Sequence, residues 1–480
     1  MDQFVTRDRH AAAEVPSREP RLITWKHALT EVTGRIDSSL KHAVLQTMLR
    51  SLSEIGSFPQ YVDSQGLPHS RSEHGFRLHQ SSSSQYVSPP FLGTRIIYRP
   101  YISGLAFDCK GVYLAAVTNN GSLAVHDYES LICHAQGSKK TSMMAVMQLL
   151  VCPHLEAVAW NPQNQDEVAC VAGYVGKVFC YDISRVSDDP SQVLKVSANA
   201  EKVESTGLSD LAFCKLGEKR ILASGRKHGE IYVWDRRINT IPQLVLSSSQ
   251  HGQLNTLALT RDEQVVYAGS SSGHFLAWDL RGGKSSTAFI TPGVVYNPPF
   301  AAWKMTTLLE QIPSLTAQTA IEMSGIQSIS LNQGCEQQLA FHLLNGWSGV
   351  LDLSGLKVTH IHCPPPPWCS VEGEGDCVLK KAVLLLRRKP TWLSANSIYA
   401  CPSFSSSKIK LLDFDLGPSS PHTVEGTEDE ALAEHVEVST SAPVTTCAAH
   451  PLNDQFVAGT IEASILVFGD KRESTDENGA

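Results

Sequence analysis

The residues best suited to recognition chemistry form two quartets with one pattern, Trp-Asp-x-Arg. They span residues 234–237 and 278–281, and the two Trp-Asp pairs lie 44 residues apart. Arginine carries a planar guanidinium whose fixed donors suit the carboxylate and carbonyl groups of a partner. We therefore expect Arg237 and Arg281 to project beside each other from one face and to bind a protein. The predicted partner-binding residues are Trp234, Asp235, Arg237, Trp278, Asp279 and Arg281.

Sequence patterns typical of catalysis are missing from the 480 residues. There is no G-x-x-x-x-G-K-[ST] phosphate loop, no H-E-x-x-H zinc helix and no G-x-S-x-G elbow. Acids and histidines stand in turns and loops, with no spacing that would pair them. We predict a protein that is not an enzyme and holds no cofactor. The alternative is an enzyme whose site is assembled only in space from His and acidic residues.

The twelve cysteines give no sign of a metal site, because no two of them have the C-x-x-C spacing that most zinc sites use. Cys170 and Cys180 lie inside apolar runs, where a free thiol behaves as a small hydrophobic group. A metal or disulfide site built from Cys363, Cys369 and Cys377 is the weaker interpretation. We predict no bound metal.

Composition and charge narrow the class of partner. The formal net charge is -8, so the chain has no overall basic surface for nucleic acid, and we expect no direct contact with it. No stretch of 18 apolar residues is present, and the first ten residues lack the apolar run of a signal peptide. We therefore expect no membrane span and an intracellular location, in the nucleus, the cytoplasm or both.

A strand-turn-strand unit recurs along the chain, with its clearest copies at residues 208–237 and 254–281. Each copy reads as a strand, a polar turn, a strand ending in small residues, a Gly turn and a strand ending in Trp-Asp. The Gly turns require positive φ, which glycine adopts at little cost. They are Asn120-Gly121, His228-Gly229, Ser272-Gly273 and Asn345-Gly346. Weaker copies raise the total to seven units, and they span residues 102–127, 156–182, 326–352, 382–413 and 444–470.

These units resemble the WD40-repeat family, whose blades repeat every 40–45 residues or so. The resemblance implies an all-β, seven-bladed WD40 β-propeller over residues 92–472, used as a protein-interaction platform. It also implies that His154, His251 and His450, each expected just before the first strand of a blade, are structural residues and neither catalytic nor metal-binding.

The family resemblance further implies that a strand from the N-terminal side completes the last blade, because an open ring would leave sheet edges exposed. We expect Arg95–Tyr98 to pair with Ile465–Phe468 as the outer strand of blade 7.

Segments outside the repeats have their own patterns. Apolar residues at 3–4 spacing predict an amphipathic helical segment over residues 24–56. We expect disorder over 1–23 and 473–480, and a flexible linker over 57–91. A helical insertion is predicted at 284–325 and an acidic one at 417–443.

The two quartets also resemble the DWD box of receptors that bind the DDB1 adaptor of cullin-4 (CUL4) ubiquitin ligases. The resemblance implies a substrate receptor that recruits an unidentified protein, with the helical segment 24–56 docked in a groove of DDB1. The alternative is that this helical segment packs against the side of the propeller itself. The acidic residue expected upstream of each box is absent, since Arg226-Lys227 and Ser271-Ser272 stand there. The alternative is a scaffold subunit of another intracellular complex.

A basic cluster precedes the sixth unit and comprises Lys380, Lys381, Arg387, Arg388 and Lys389. One interpretation is a bipartite nuclear signal or a phosphate-binding patch. The favoured interpretation is a set of charges that flank an apolar strand, Ala382–Leu386, at a blade edge and block aggregation.

Overall fold

The computed structural model describes residues 47–60, 100–135, 145–281, 295–364, 387–414, 422–424 and 435–470, apart from residues 48, 186, 216–219, 249, 394–396, 404–405 and 454. These residues form seven separate sheets of four or five strands. The prediction of an all-β, seven-bladed propeller is confirmed.

The strands are short, and four helices lie between them. In chain order the strands are β1 (Leu52–Pro59), β2 (Ile102–Phe107), β3 (Tyr113–Thr118), β4 (Ser122–Asp127), β5 (Met147–Leu150), β6 (Leu155–Trp160), β7 (Glu167–Ala172), β8 (Lys177–Asp182), β9 (Gln192–Lys195), β10 (Leu208–Phe213), β11 (Arg220–Gly225), β12 (Glu230–Asp235), β13 (Leu244–Ser247), β14 (Leu254–Leu259), β15 (Val265–Ser270), β16 (His274–Asp279), β17 (Val295–Asn297), β18 (Ala301–Lys304), β19 (Ile326–Leu331), β20 (Gln338–Leu343), β21 (Ser348–Asp352), β22 (Lys357–Cys363), β23 (Thr391–Trp392), β24 (Ile398–Pro402), β25 (Lys408–Asp413), β26 (His422–Val424), β27 (His435–Ser439), β28 (Val444–Ala449), β29 (Phe456–Thr460) and β30 (Ser464–Asp470). The helices are α1 (Tyr128–Ala135), α2 (Ala200–Ser205), α3 (Met305–Glu310) and α4 (Pro313–Gln318).

Each blade is a sheet whose strands follow one another outward from the axis. Blade 1 is β2–β5, blade 2 is β6–β9, blade 3 is β10–β13 with β17, blade 4 is β14–β16 with β18, blade 5 is β19–β22 with β26, blade 6 is β23–β25 with β27, and blade 7 is β28–β30 with β1. The first strand of each blade lies nearest the axis, and these inner strands are β2, β6, β10, β14, β19, β23 and β28.

The hydrophobic core is divided among the junctions between blades. Seven clusters of buried apolar side chains are found in the described part of the chain, one for each pair of neighbouring blades. The strands supply these side chains because β-branched and aromatic residues fit a pleated, buried surface. A single sheet could not bury both of its faces, so stability depends on the complete ring.

The second residue of an inner strand stands at a β-bulge in six of the blades, where the pairing register shifts by one residue. A bulge redirects the side chain it carries. In four blades that side chain donates a hydrogen bond to the first residue of the next inner strand. The bonds are Ser103 to Leu155 O (2.7 Å), Ser209 to Leu254 O (2.7 Å), Asn255 to Ile326 O (2.8 Å) and Thr445 to Ile102 O (2.6 Å).

The ring is closed by a strand that the sequence analysis misplaced. β1 pairs antiparallel with β30, from Leu52 opposite Asp470 to Pro59 opposite Ser464. It is therefore the outer strand of blade 7, and the prediction that Arg95–Tyr98 fills this place is wrong. Arg95–Tyr98 itself lies outside the described residues.

The N-terminal helical prediction is wrong where the structure tests it at Leu52–Gly56, which belongs to β1. The predicted flexible linker over 57–91 is wrong at residues 57–59, the end of the same strand. Residues 47 and 49–51 are helical, as predicted, whereas residues 24–46 lie outside the described part of the chain. Apolar residues in this stretch fit helix spacing, but the free edge of β30 offers backbone partners that favour a strand.

The predicted insertions contribute to the blades as well as to loops. The helical pattern predicted within 284–325 appears as α3 and α4, while β18 of the same insertion is the outer strand of blade 4. In the acidic insertion, β27 is the outer strand of blade 6. None of the described helices is long and apolar enough to cross a membrane.

Candidate functional site

The two tryptophans of the quartets belong to the core. Trp234 packs in the cluster between blades 2 and 3, and its indole N–H donates to Lys195 O at 3.2 Å. Trp278 packs between blades 3 and 4 and is 1 % exposed. Neither indole can touch a partner directly, so both hold the ends of β12 and β16 in place.

The aspartate and the last arginine of each quartet form a compact corner at the end of the third strand. Arg237 donates from its backbone N–H and Nε to Asp235 Oδ1, at 3.1 and 3.0 Å, and from Nη2 to Oδ2 at 2.7 Å. Arg281 repeats this arrangement on Asp279, at 2.8, 3.1 and 2.9 Å. Both arginine side chains remain more than 60 % exposed. The two quartets thus present the same arginine geometry in consecutive blades.

Charge is balanced within each corner. The hydrogen bonds from Arg237 lower the pKa of the Asp235 carboxyl, and those from Arg281 do the same for Asp279. Each arginine therefore offers a partner the edge of its guanidinium that the aspartate does not use.

The aspartate of each quartet also stabilises the turn that follows the third strand, and aspartates in other blades do the same. In three further blades the aspartate that ends the third strand accepts the backbone N–H two residues later. The bonds are Glu129 N to Asp127 (3.2 Å), Ser184 N to Asp182 (3.0 Å) and Ser354 N to Asp352 (3.2 Å). The Asp of Trp-Asp is accordingly a turn residue of the fold, and an exposed arginine two residues after it is what distinguishes blades 3 and 4.

Arg236, between Asp235 and Arg237, has a role that sequence reasoning missed. It binds both carboxylate oxygens of Glu167 in blade 2 and donates from Nε to Gln192 Oε1 at 2.7 Å. The pairing joins blades 2 and 3 beside a cavity of about 520 Å³ that Arg237 also lines. Arg236, which stands at the variable position of Trp-Asp-x-Arg, therefore stabilises the corner of blade 3, although the pattern places no condition on this position.

Two exposed apolar residues flank the arginines. Ile238 follows Arg237 directly and is 70 % exposed. Phe300 is 62 % exposed, and its backbone N–H donates to Ala277 O in β16, close to the second corner. We name Arg237, Ile238, Arg281 and Phe300 the corner surface. An aromatic and an aliphatic side chain beside arginines match the composition of protein interfaces.

The basic cluster differs from both interpretations offered above. Lys380, Lys381 and Ala382–Leu386 lie outside the described residues. Arg387–Lys389 directly precedes β23 and lies between the inner strands of blades 5 and 7, and the side chains of Arg387 and Lys389 reach across the axis to Glu156 in blade 2. Arg388 is fully buried. These three cations are neither charges at a blade edge nor an exposed patch for a nuclear receptor or a phosphate. We name residues 387–389 the strap.

Metal and thiol chemistry find no support in the described residues, among which no group of three or more His, Cys, Asp or Glu side chains could hold a metal ion. Cys363 is buried, while Cys369 and Cys377 lie outside this part of the chain. His154 and His450 bond to backbone carbonyls of Asn119 and Gly111. His450 follows β28 and does not precede it, which corrects its expected position.

Comparison with known proteins places the fold. No protein-family model matches the chain. Protein transport protein Sec31A is 27 % identical in Mus musculus and 26 % identical in Homo sapiens, over 130 residues. The match covers 25 % of this chain and 10 % of either relative, so it spans about a tenth of their length. The Cps50 (Swd1) β-propeller domain of Myceliophteria thermophila superposes with a TM-score of 0.51 at 12 % identity, over 77 % of this chain and 96 % of that domain.

The class of protein follows from the blades and these likenesses together. The chain has the fold of a seven-bladed β-propeller. Its two full Trp-Asp-x-Arg corners lie in blades 3 and 4.

Proposed function

We propose that this propeller is a non-catalytic protein-interaction platform that docks a partner through the corner surface. The observation that carries the proposal is an exposed arginine, held by the aspartate two residues before it, that is repeated in two consecutive blades. The aspartates fix both guanidinium groups before binding, which reduces the side-chain entropy lost on association. Ile238 and Phe300 add apolar surface that would be buried away from water when the complex forms.

We further propose that the docked partner is the DDB1 adaptor, which would make the chain a substrate receptor of a CUL4 ubiquitin ligase. The support is the resemblance of both quartets to the DWD box, together with the exposure of both arginines. The recruited substrate would then bind elsewhere on the ring.

A second candidate is a scaffold subunit of another intracellular complex in the nucleus or cytoplasm. Each guanidinium already gives two donors to its own aspartate, which leaves fewer for an adaptor. The local similarity to Sec31A, a protein transport protein, adds a little weight to this candidate.

A binding measurement with purified DDB1 separates the two candidates. We expect wild-type chain to bind, and Arg237→Ala/Arg281→Ala to bind more weakly by about tenfold or more, because each lost charged hydrogen bond contributes about 1.5–3 kcal/mol. Ile238→Asp/Phe300→Asp should weaken binding as well.

The chain offers a matched control. Arg185 pairs with Asp182 at the corresponding corner of blade 2, at 3.0 Å, and is 69 % exposed. Arg185→Ala should leave DDB1 binding unchanged. No binding by wild type would reject the adaptor role, and equal binding by all variants would reject the corner surface.

A further inference from the structure

The strap is held by the bulged second residues of two inner strands. The bulged second residue is Glu156 in blade 2 and Gln327 in blade 5, whereas four other blades carry a side chain that bonds the next blade. Glu156 instead binds Arg387, and Gln327 Oε1 accepts the backbone N–H of Arg388 at 2.9 Å. Gln327 thus bonds the segment that leads into the next blade, as in the four other blades, whereas Glu156 bonds across the axis to Arg387.

Glu156 forms a well-defined receptor for a guanidinium group. Its Oε1 accepts from Arg387 Nη1 at 2.9 Å, and the same nitrogen donates to Ser209 O in blade 3 at 3.1 Å. Its Oε2 lies 2.9 Å from His154 Nε2 and 3.5 Å from Arg226 Nη1. Burial alone would raise the pKa of the Glu156 carboxyl, but Arg226, His154 and Arg387 together hold it well below its usual range. The group is thus a buried carboxylate.

The strap is anchored on other blades by its backbone and by Lys389. Lys389 N donates to Thr445 O at 3.0 Å, and Cys447 N donates to Lys389 O at 2.8 Å. The Lys389 ammonium donates to Glu156 O at 3.0 Å. These contacts reach across the axis from blade 7 to blade 2.

The fit of the strap is incomplete. Arg387 Nε and Nη2 and Gln327 Nε2 are buried without a hydrogen-bond partner among the described residues. Buried donors in this state are unfavourable, because they have lost water and gained no acceptor. Arg388 adds a second unfavourable contribution, since burial lowers its pKa to about 10. A more complementary group could therefore compete for the carboxylate.

We infer that Glu156 forms, with Ser209 O, a binding site for an arginine side chain presented by a segment of a partner protein, and that Arg387 occupies it as an internal ligand. The site lies on the axis, and the corner surface is not part of it. Two exposed groups lie near the buried carboxylate: Arg226, one third exposed and 3.5 Å from Glu156, and Tyr174, an exposed ring 4.5 Å from the ring of His154. A partner arginine would replace Arg387 at Glu156 and release the strap from blade 2.

Calorimetric titration with N-acetylarginine methylamide tests this site in the 480-residue chain. Arg387→Ala removes the internal ligand, so we expect it to bind the probe at least about tenfold more tightly than wild type, whose site is mostly occupied. Arg387→Ala/Glu156→Gln should lose that binding. N-acetyllysine methylamide is the matched control and should bind Arg387→Ala more weakly, because an ammonium cannot bridge Glu156 and Ser209 O as a planar guanidinium does.

The proposal is overturned if Arg387→Ala does not bind the arginine probe, or if it binds equally well with Gln at position 156. Should Arg387→Ala fail to fold, Arg387→Gln keeps the length of the side chain without its charge, and the same outcomes apply. The DDB1 measurement is independent of this one, so the two proposals can fail separately.

Discussion

The hydroxyl of Thr445 in blade 7 donates to the carbonyl oxygen of Ile102 in blade 1, at 2.6 Å, and so joins the last inner strand to the first. Thr445 is 1 % exposed, so no water replaces this bond. Thr445→Val should destabilise the fold by about 1–3 kcal/mol, because the Ile102 carbonyl would be left without this donor. Urea unfolding measures the change. Thr307→Val, at an exposed position, is the control, and equal effects of both changes would contradict a special role for the Thr445 bond.

Removing β1 should open the ring. A chain that begins at residue 61 exposes the edge of β30, and we expect its melting temperature to fall on the order of 10 °C, since each lost kcal/mol lowers it by about 2–4 °C. A chain that begins at residue 47 keeps β1 and serves as the comparison. If both chains melt together, β1 does not stabilise blade 7.

Trp234 is the largest fully buried side chain of the first quartet. Trp234→Ala should lower the free energy of unfolding by about 3–5 kcal/mol through lost burial and an unfilled cavity between blades 2 and 3. Trp234→Phe should lower the free energy of unfolding by less, since most of the ring volume is kept. Differential scanning calorimetry would show the order wild type, Phe, Ala. If both variants unfold as wild type does, the Trp234 indole does not contribute to the core.

His126 should make the fold sensitive to acid. Burial lowers its pKa to about 4, and its Nε2 bonds Gln60 Oε1 at 2.6 Å. As the pH falls from about 6.5 towards 4, the unfolded chain gains a proton that the buried ring does not take up, so stability falls by up to about 3 kcal/mol. His342 acts in the same direction, because burial, reinforced by the Arg388 charge, lowers its pKa to about 3.

Urea unfolding at pH 7 and pH 5 measures this dependence. His126→Gln should be less stable than wild type at pH 7 and should lose less stability at pH 5. If the two proteins lose equal amounts, His126 does not contribute to the pH dependence.

Much of the ring could be predicted from local pattern. Strand alternation and Gly turns place the units, and Gly121, Gly229, Gly273 and Gly346 all adopt the predicted positive φ. These features depend on neighbours in sequence, which is why the pattern alone predicts them.

The closing strand and the strap could not be predicted, because each is decided by a distant partner. Ile55 fits a helical stripe as well as it fits β1, and only the edge of β30 decides between them. Arginine is usually a surface residue, so the sequence around Arg388 gives no sign that it is buried. The segment lies at the axis because the Glu156 carboxylate and the backbone of the inner strands bind it there. Sequence spacing records no such long-range pairing.

The pairing of Leu52 with Asp470 also sets a condition on how the protein is made. A ribosome releases β1 early and β30 more than 400 residues later, so β1 has no partner while the other blades are translated. Until then the nascent ring has one open seam, available to chaperones or to another nascent chain. Contacts so far apart along the polypeptide also slow the search for the native state. Slow translation or crowded polysomes should therefore affect the yield of this protein through that single seam.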